Sequence, residues 1–296
     1  MRAHNRQLAT AMLGLALLSL AGCRFTTRKL PKPLAPEVTQ TVEPQQLVDQ
    51  MNQRWTDVKT LSARVQIQLT QTKTQEGVAK DYTSFPAIIL MRQPEDLRVV
   101  GFVPVVHTPM FDMVSNGKDF TLYEPTRDMA YEGPNTLTHK SPNMIENVRP
   151  GFFLDSLVVR GMPPQDEYTV TADTVTVEDP KRKHLLLIPE YNLNIMRRKP
   201  DSQQLQPIRV VHFHRDDMLP YQQDLYDDQG NLQTQVFYGR YAKYGDNMFP
   251  STITIKRPLE GVQAVMTVER VEEGLELKNN QFELQIPPDT KIQHLQ

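Results

Sequence analysis

The sequence predicts a mainly β fold: an antiparallel meander, closed or nearly closed, with one helix in front and a second helical patch inside it. Three observations carry this. Period-two alternation of apolar and polar residues recurs from residue 61 to the C-terminal region. Short turn signals such as Asn116-Gly117 separate the apolar runs. Helical spacing is clear only in residues 44–58 and in the patch around 141–161.

Glu43-Pro44 opens the first helix, with proline where a missing N–H costs nothing. Leu47, Met51, Trp55 and Val58 follow on one stripe, which predicts packing on a sheet, with Trp55 as core. Val65, Ile67 and Leu69 then alternate with Arg64, Gln66 and Gln68, a half-buried strand ending at the turn Glu76-Gly77. Ile88 to Met91 and Leu97 to Val100 make the next two strands, joined at Gln93-Pro94-Glu95-Asp96. Met110 to Val114 should pair with Phe120 to Tyr123 across Asn116-Gly117, and Met129 to Gly133 is a further short strand. Ser141-Pro142 starts the helical patch, Pro150 interrupts it, and Gly161 with Pro163-Pro164 ends it. Further strands are expected at 168–177, 184–189, 191–197, 207–214, 221–227, 232–243, 249–257, 262–271 and 281–286. Turns are expected at Asp179-Pro180, Asp228 to Asn231, Tyr244 to Asn247 and Leu259 to Gly261.

Composition is that of a globular chain. Of 296 residues, 39% are hydrophobic and 7% aromatic, and 33 Lys+Arg against 35 Asp+Glu give a net charge of -2. That balance gives no reason to expect nucleic acid as a partner. The N-terminus is different. Arg2 and Arg6 precede an apolar run from Leu8 to Leu20, then small residues, the layout of a secretory signal peptide. The run is too short for a membrane-spanning helix. Leu20-Ala21-Gly22-Cys23 resembles the lipobox of bacterial lipoproteins, and Cys23 is the only cysteine. The resemblance implies cleavage before Cys23 and lipidation of its thiol and new amino group, palmitate included. Arg24 rather than Asp at the next position implies delivery to the outer membrane. The expected organisation is a signal peptide over 1–22, a lipidated cysteine and proline-stiffened tether over 23–43, and one domain over 44–296.

The order of elements resembles the LolA/LolB superfamily of lipoprotein carriers. The pattern runs from RWTDVKTLSARVQIQL through LRVVGFVPVVHTPMFDMVSNGKDFTLYEPTRDMAYEG to DLYDDQGNLQTQVFYGRYAKYGDNMFPSTITIKRP and a final NNQFELQIPPDT. The likeness implies an unclosed antiparallel β-barrel with helices plugging its mouth, a periplasmic location and an apolar cavity holding an acyl chain. The chain departs from the plain carriers in its extra strands at 165–200. The cavity candidates are the alternating apolar positions Val65, Ile67, Leu69, Val99, Phe120, Leu122, Ile253, Ile255, Met266 and Val268.

Other residues are weighed against simpler readings. His212 and His214 share one side of a strand, a spacing that zinc sites use, but no third ligand is identifiable. Asp216-Asp217 and Asp227-Asp228 lack calcium-loop spacing, and Ser156 lacks nucleophile-elbow glycines. No metal, no cofactor and no enzymatic activity are expected. Phe102 to Pro109 is an apolar loop between two strands. Packing of this loop onto the core is the simpler expectation. The alternative has Val103, Val105 and Val106 protruding to touch lipid, as an exposed apolar loop residue does in the anchored carrier.

Two functions stay open at this level. One is a monomeric, membrane-anchored lipoprotein that binds a lipid or a lipoprotein acyl chain for lipoprotein sorting or insertion. The other is a structural or sensory protein-binding module of the cell envelope with a filled core.

Overall fold

The computed structural model describes residues 39–73, 78–135, 150–178 and 185–295. Expectations for the signal peptide, Cys23, the tether before residue 39, the Glu76-Gly77 and Asp179-Pro180 turns and the Ser141-Pro142 helix start lie outside them. The described residues fall into two units, one holding 176–178 and 185–187 and the other holding the rest. In the first, 176–178 and 185–187 are extended. The second holds everything below except those two extended ends. Among the described residues no helix is long and apolar enough to cross a membrane.

Helix α1 (Pro44–Asp57) starts at a reciprocal cap: the Glu43 side chain serves the Gln46 amide, and the Glu43 N–H donates to Gln46 Oε1 at 2.9 Å. It buries Leu47, Val48 and Met51, with Val58 just past its end. Trp55 is only partly buried. Gln93 Nε2 donates to the carbonyls of Trp55 and Val58, so the turn that starts at Gln93-Pro94 caps the helix C-terminus.

The strands are β1 (Thr60–Lys73), β2 (Val78–Asp81), β3 (Phe85–Arg92), β4 (Asp96–Phe102), β5 (Pro109–Ser115), β6 (Asp119–Glu124) and β7 (Met129–Pro134). Helix α2 (Gly151–Leu157) follows. Then come β8 (Glu167–Glu178), β9 (Leu185–Arg198), β10 (Leu205–His214), β11 (Pro220–Tyr226), β12 (Leu232–Tyr238), β13 (Tyr241–Tyr244), β14 (Asn247–Pro250), β15 (Thr252–Arg257), β16 (Val262–Glu273) and β17 (Lys291–His294). The main sheet has 15 strands in the order β17-β7-β6-β5-β4-β3-β1-β16-β15-β12-β11-β10-β9-β8, with β2 beside β1. It is unclosed, and antiparallel at every pairing with a described register except β17 on β7. The seam is β1 against β16, which sets Ile67 opposite Met266 and joins the two halves of the meander. Buried positions alternate along β3, β4, β6 and β15, so one face of the sheet builds the core.

Several strands differ from expectation, and β2 is not among the expected ones. The runs 184–189 and 191–197 are one strand, β9, which passes through Pro189. The run 232–243 breaks after Tyr238, because Gly239 lies so close to Thr252 that a Cβ would meet its Oγ1 at 2.0 Å. The run 249–257 breaks at Ser251 for the same kink. The chain turned out there forms a separate two-stranded sheet, β13–β14. Residues 281–286 are no strand. Arg92 and Arg98 hold this stretch through the carbonyls of Leu277 and Gln281, and Arg92 stacks on Phe282 at 4.7 Å. Prolines 287 and 288 then interrupt any ladder. The last strand is β17. Pro150 also differs: its carbonyl accepts from Leu154, so it begins α2 instead of interrupting a helix.

Candidate functional site

Nine of the ten proposed cavity residues lie in one hydrophobic cluster and are 0–7% exposed. Leu69 packs against that cluster. None of the ten lines the apolar cavity described next. Cross-strand neighbours such as Ile253 and Met266 fill the sheet's inner face there.

The cavity, of about 380 Å³, lies under α1 instead. Its volume falls in the range of about 300–1,000 Å³ usual for small-molecule sites. Four groups of residues build it. Met51 contributes the apolar side of α1, and Gln50, Gln53, Arg54 and Asp57 form a polar rim. Val158 and Val159, where the chain leaves α2, form one wall with Phe213 of β10. The β10–β11 loop adds Met218, Leu219 and Pro220. The β13–β14 hairpin adds Tyr241, Met248, Phe249 and Pro250. Three methionine thioethers therefore reach one space, and flexible sulfur side chains adapt to an irregular apolar guest.

Local chemistry fixes these walls. Met218 takes φ 58° and its N–H bonds to the His214 carbonyl at 2.9 Å, closing the loop. The hairpin is held by Tyr241 donating to the Pro220 carbonyl at 2.9 Å and Tyr244 donating to the Val268 carbonyl at 3.1 Å. Burial pushes the Tyr241 hydroxyl pKa well above its ordinary value, so it stays a donor. Met248 is half exposed at the edge of the cavity. At the rim, Arg54 makes a two-pronged ion pair with Glu273, at 2.6 and 3.1 Å.

Polar contacts seat the segment bearing Val158 and Val159. Gln223, buried on β11, donates to the Asp155 carbonyl. Arg209, buried on β10, donates to the Arg160 carbonyl at 2.7 Å. Asn52 Oδ1 of α1 accepts from the Met162 N–H at 2.7 Å. The Arg160 side chain pairs with Asp155 at 2.6 Å and with Glu95 at 3.1 Å.

The β4–β5 loop is exposed, which corrects the expectation that it packs onto the core. Val105 is 90% and Val106 64% exposed, while Val103 is half-buried. The loop is nevertheless fixed. Val103 N–H donates to the Thr108 carbonyl at 2.9 Å, and His107 N–H donates to the Val103 carbonyl at 3.0 Å. Val105 sits at φ 73°, a left-handed conformation that a β-branched residue adopts only under strain. The two exposed valines are carried on a closed loop in which Phe102, Val103 and Pro104 are half-buried and His107 to Pro109 are exposed.

His212 and His214 both lie beside the Tyr221 ring. His212 Nδ1 lies 2.6 Å from Asn192 Oδ1, and its Nε2 lies 3.5 Å from Asp224 Oδ2. His214 stacks on Tyr221, with ring centroids 4.1 Å apart. Among the described residues no three His, Cys, Asp or Glu side chains form a metal-holding group. Asp217 and Asp227 bond to nearby backbone N–H groups in turns, and Ser156 Oγ donates to the Phe153 carbonyl inside α2.

With the cavity and sheet described, similarity to solved structures can be stated. A DUF1329 family protein from Desulfovibrio piger superposes with a TM-score of 0.52 at 15% identity, over 81% of this chain and 95% of that one. A LolA superfamily protein from Nitrosomonas europaea superposes with a TM-score of 0.51 at 13% identity, over 82% of this chain and 99% of that one. The fold is LolA-like. No family model matches the sequence, and no curated protein matches it.

Alternation marked which face of each strand turns inward, but it missed the cavity. The cavity comes from a helix rim, two loops and a kinked-out hairpin, and none of these has a period to read. The clustering of Met248-Phe249-Pro250 after the turn at Gly245 is the one signal in the sequence that points to this wall.

Proposed function

We propose that this chain is a membrane-anchored carrier or receptor of the cell envelope that takes up an acyl chain of a lipid or lipoprotein. The observation that carries the reading is the apolar, methionine-lined cavity under α1 in a LolA-like fold. The anchor at Cys23 and delivery to the periplasmic face of the outer membrane rest on the lipobox resemblance. The β4–β5 loop supports the same reading: Val105 and Val106 stand out on a backbone already ordered, so docking them into lipid costs little entropy. Burying one valine contributes about 1.5–3 kcal/mol, so the pair can decide between docked and free states.

The filled inner face around Ile253, Ile255 and Met266 favours a second reading, a protein-binding module with a solid core. Binding of a fluorescent acyl probe by the mature chain separates the two. Saturable binding, abolished when Val159→Phe fills the cavity, supports the carrier. Absence of saturable binding by well-folded wild type supports the module.

A further inference from the structure

We infer that Glu273 is a specificity-determining residue of the cavity: by holding Arg54 in a two-pronged ion pair it makes the rim reject free carboxylates, so the guest is an acyl chain whose carboxyl is esterified or amidated. The inference rests on the acyl-chain reading of the same cavity. Arg54 is the one cation lining the cavity among the described residues. Glu273, whose side chain is 10% exposed, occupies both Nη groups of that guanidinium, which is the geometry a fatty-acid carboxylate would need.

What remains at the rim is neutral or negative. Asp57 accepts from Gln53 Nε2 at 2.8 Å and has no cationic partner among the described residues. Gln50 reaches only the Met218 carbonyl, at 3.4 Å, so its amide is close to free. An incoming carboxylate would meet the Asp57 charge and find no open cation. An ester or amide carbonyl carries no charge and finds amide donors. The walls behind this rim are apolar, so the chain itself is not discriminated. Selection falls on the head.

Photo-cross-linking of the full lipidated protein in membranes tests this. The probes are a diazirine fatty acid and its methyl ester, and the readout is labelling of peptides containing Met218 or Met248. The ester should label these peptides more strongly than the acid, by roughly three- to five-fold, the effect of one partly exposed charge. Glu273→Gln should erase most of that difference by freeing Arg54. The double variant Arg54→Gln with Glu273→Gln should restore it, which a general loss of structure would not. Equal labelling by acid and ester in wild type, or an acid-to-ester ratio unmoved by Glu273→Gln, overturns the inference while leaving the acyl cavity standing. No labelling of either peptide by either probe removes the acyl-chain reading itself.

Discussion

Arg209 Nη1 donates to the carbonyl of Arg160 at 2.7 Å, tying the inner face of β10 to the chain that leaves α2 and walls the cavity. Arg209 is only 6% exposed, and its Nε has no partner. Burial lowers its pKa, the mark of a charge held inside for a positional reason. Arg209→Ala should destabilise the protein by about 1–3 kcal/mol, because the Arg160 carbonyl loses its buried donor. Hydrogen exchange should rise first at the Phe153 and Leu154 amides, while the β1–β16 ladder stays protected. Uniform loss of protection would show that Arg209 acts on the whole fold and not on this segment.

Gln223 makes the parallel tie from β11. It is 1% exposed and its Nε2 serves both the Asp155 carbonyl and the Tyr238 hydroxyl. Gln223→Met keeps the volume and removes both bonds. Denaturant unfolding should show a loss of about 1–3 kcal/mol. Combined with Arg209→Ala the losses should be less than additive, since both free the same segment. Strict additivity would mean that the two ties act independently.

The contrast between these ties and the sheet explains what was legible in the sequence. Val65 and Ile67, or Ile253 and Ile255, announce a strand and its inward face because every second residue is apolar. Leu47 and Met51 announce α1 by helical spacing. Arg209 and Gln223 look like ordinary polar strand residues, since the partners that justify burying them lie 49 and 68 positions away. The β12–β13 break depends on Gly239 meeting Thr252, a long-range contact. Strand β17 is a short polar stretch that pairs only because the chain returns beside β7. The exposure of Val105 depends on loop closure between Val103 and Thr108, which composition does not report.

The β4–β5 loop gives two predictions of opposite kind. Val105→Glu should leave the thermal midpoint nearly unchanged, because the site is open to water, and should weaken vesicle binding by protein lacking the Cys23 lipid. Val105→Gly should stabilise the fold by about 1 kcal/mol, because glycine adopts positive φ without strain. A large drop in melting temperature with Val105→Glu would contradict the exposed loop.

Asp224 sets an acid limit on stability. Burial raises its pKa, but the nearby His212 ring and hydrogen bonds from Gln222 and Gln235 outweigh that and hold it below the ordinary 3.8. A depressed carboxylate contributes stability above its unfolded pKa and loses it as pH falls through the folded value. Asp224→Asn should therefore be less stable than wild type at neutral pH, with the gap closing below pH 3.8. A gap independent of pH would assign the effect to packing.

The central claim is that the cavity under α1 holds an acyl chain. The most direct measurement is mass spectrometry of lipid extracted from the mature protein purified from membranes, compared with Val159→Phe. The account predicts near-stoichiometric acyl-bearing lipid on wild type and its loss from the variant at unchanged thermal stability. Wild type without lipid, or a variant carrying as much as wild type, would contradict it.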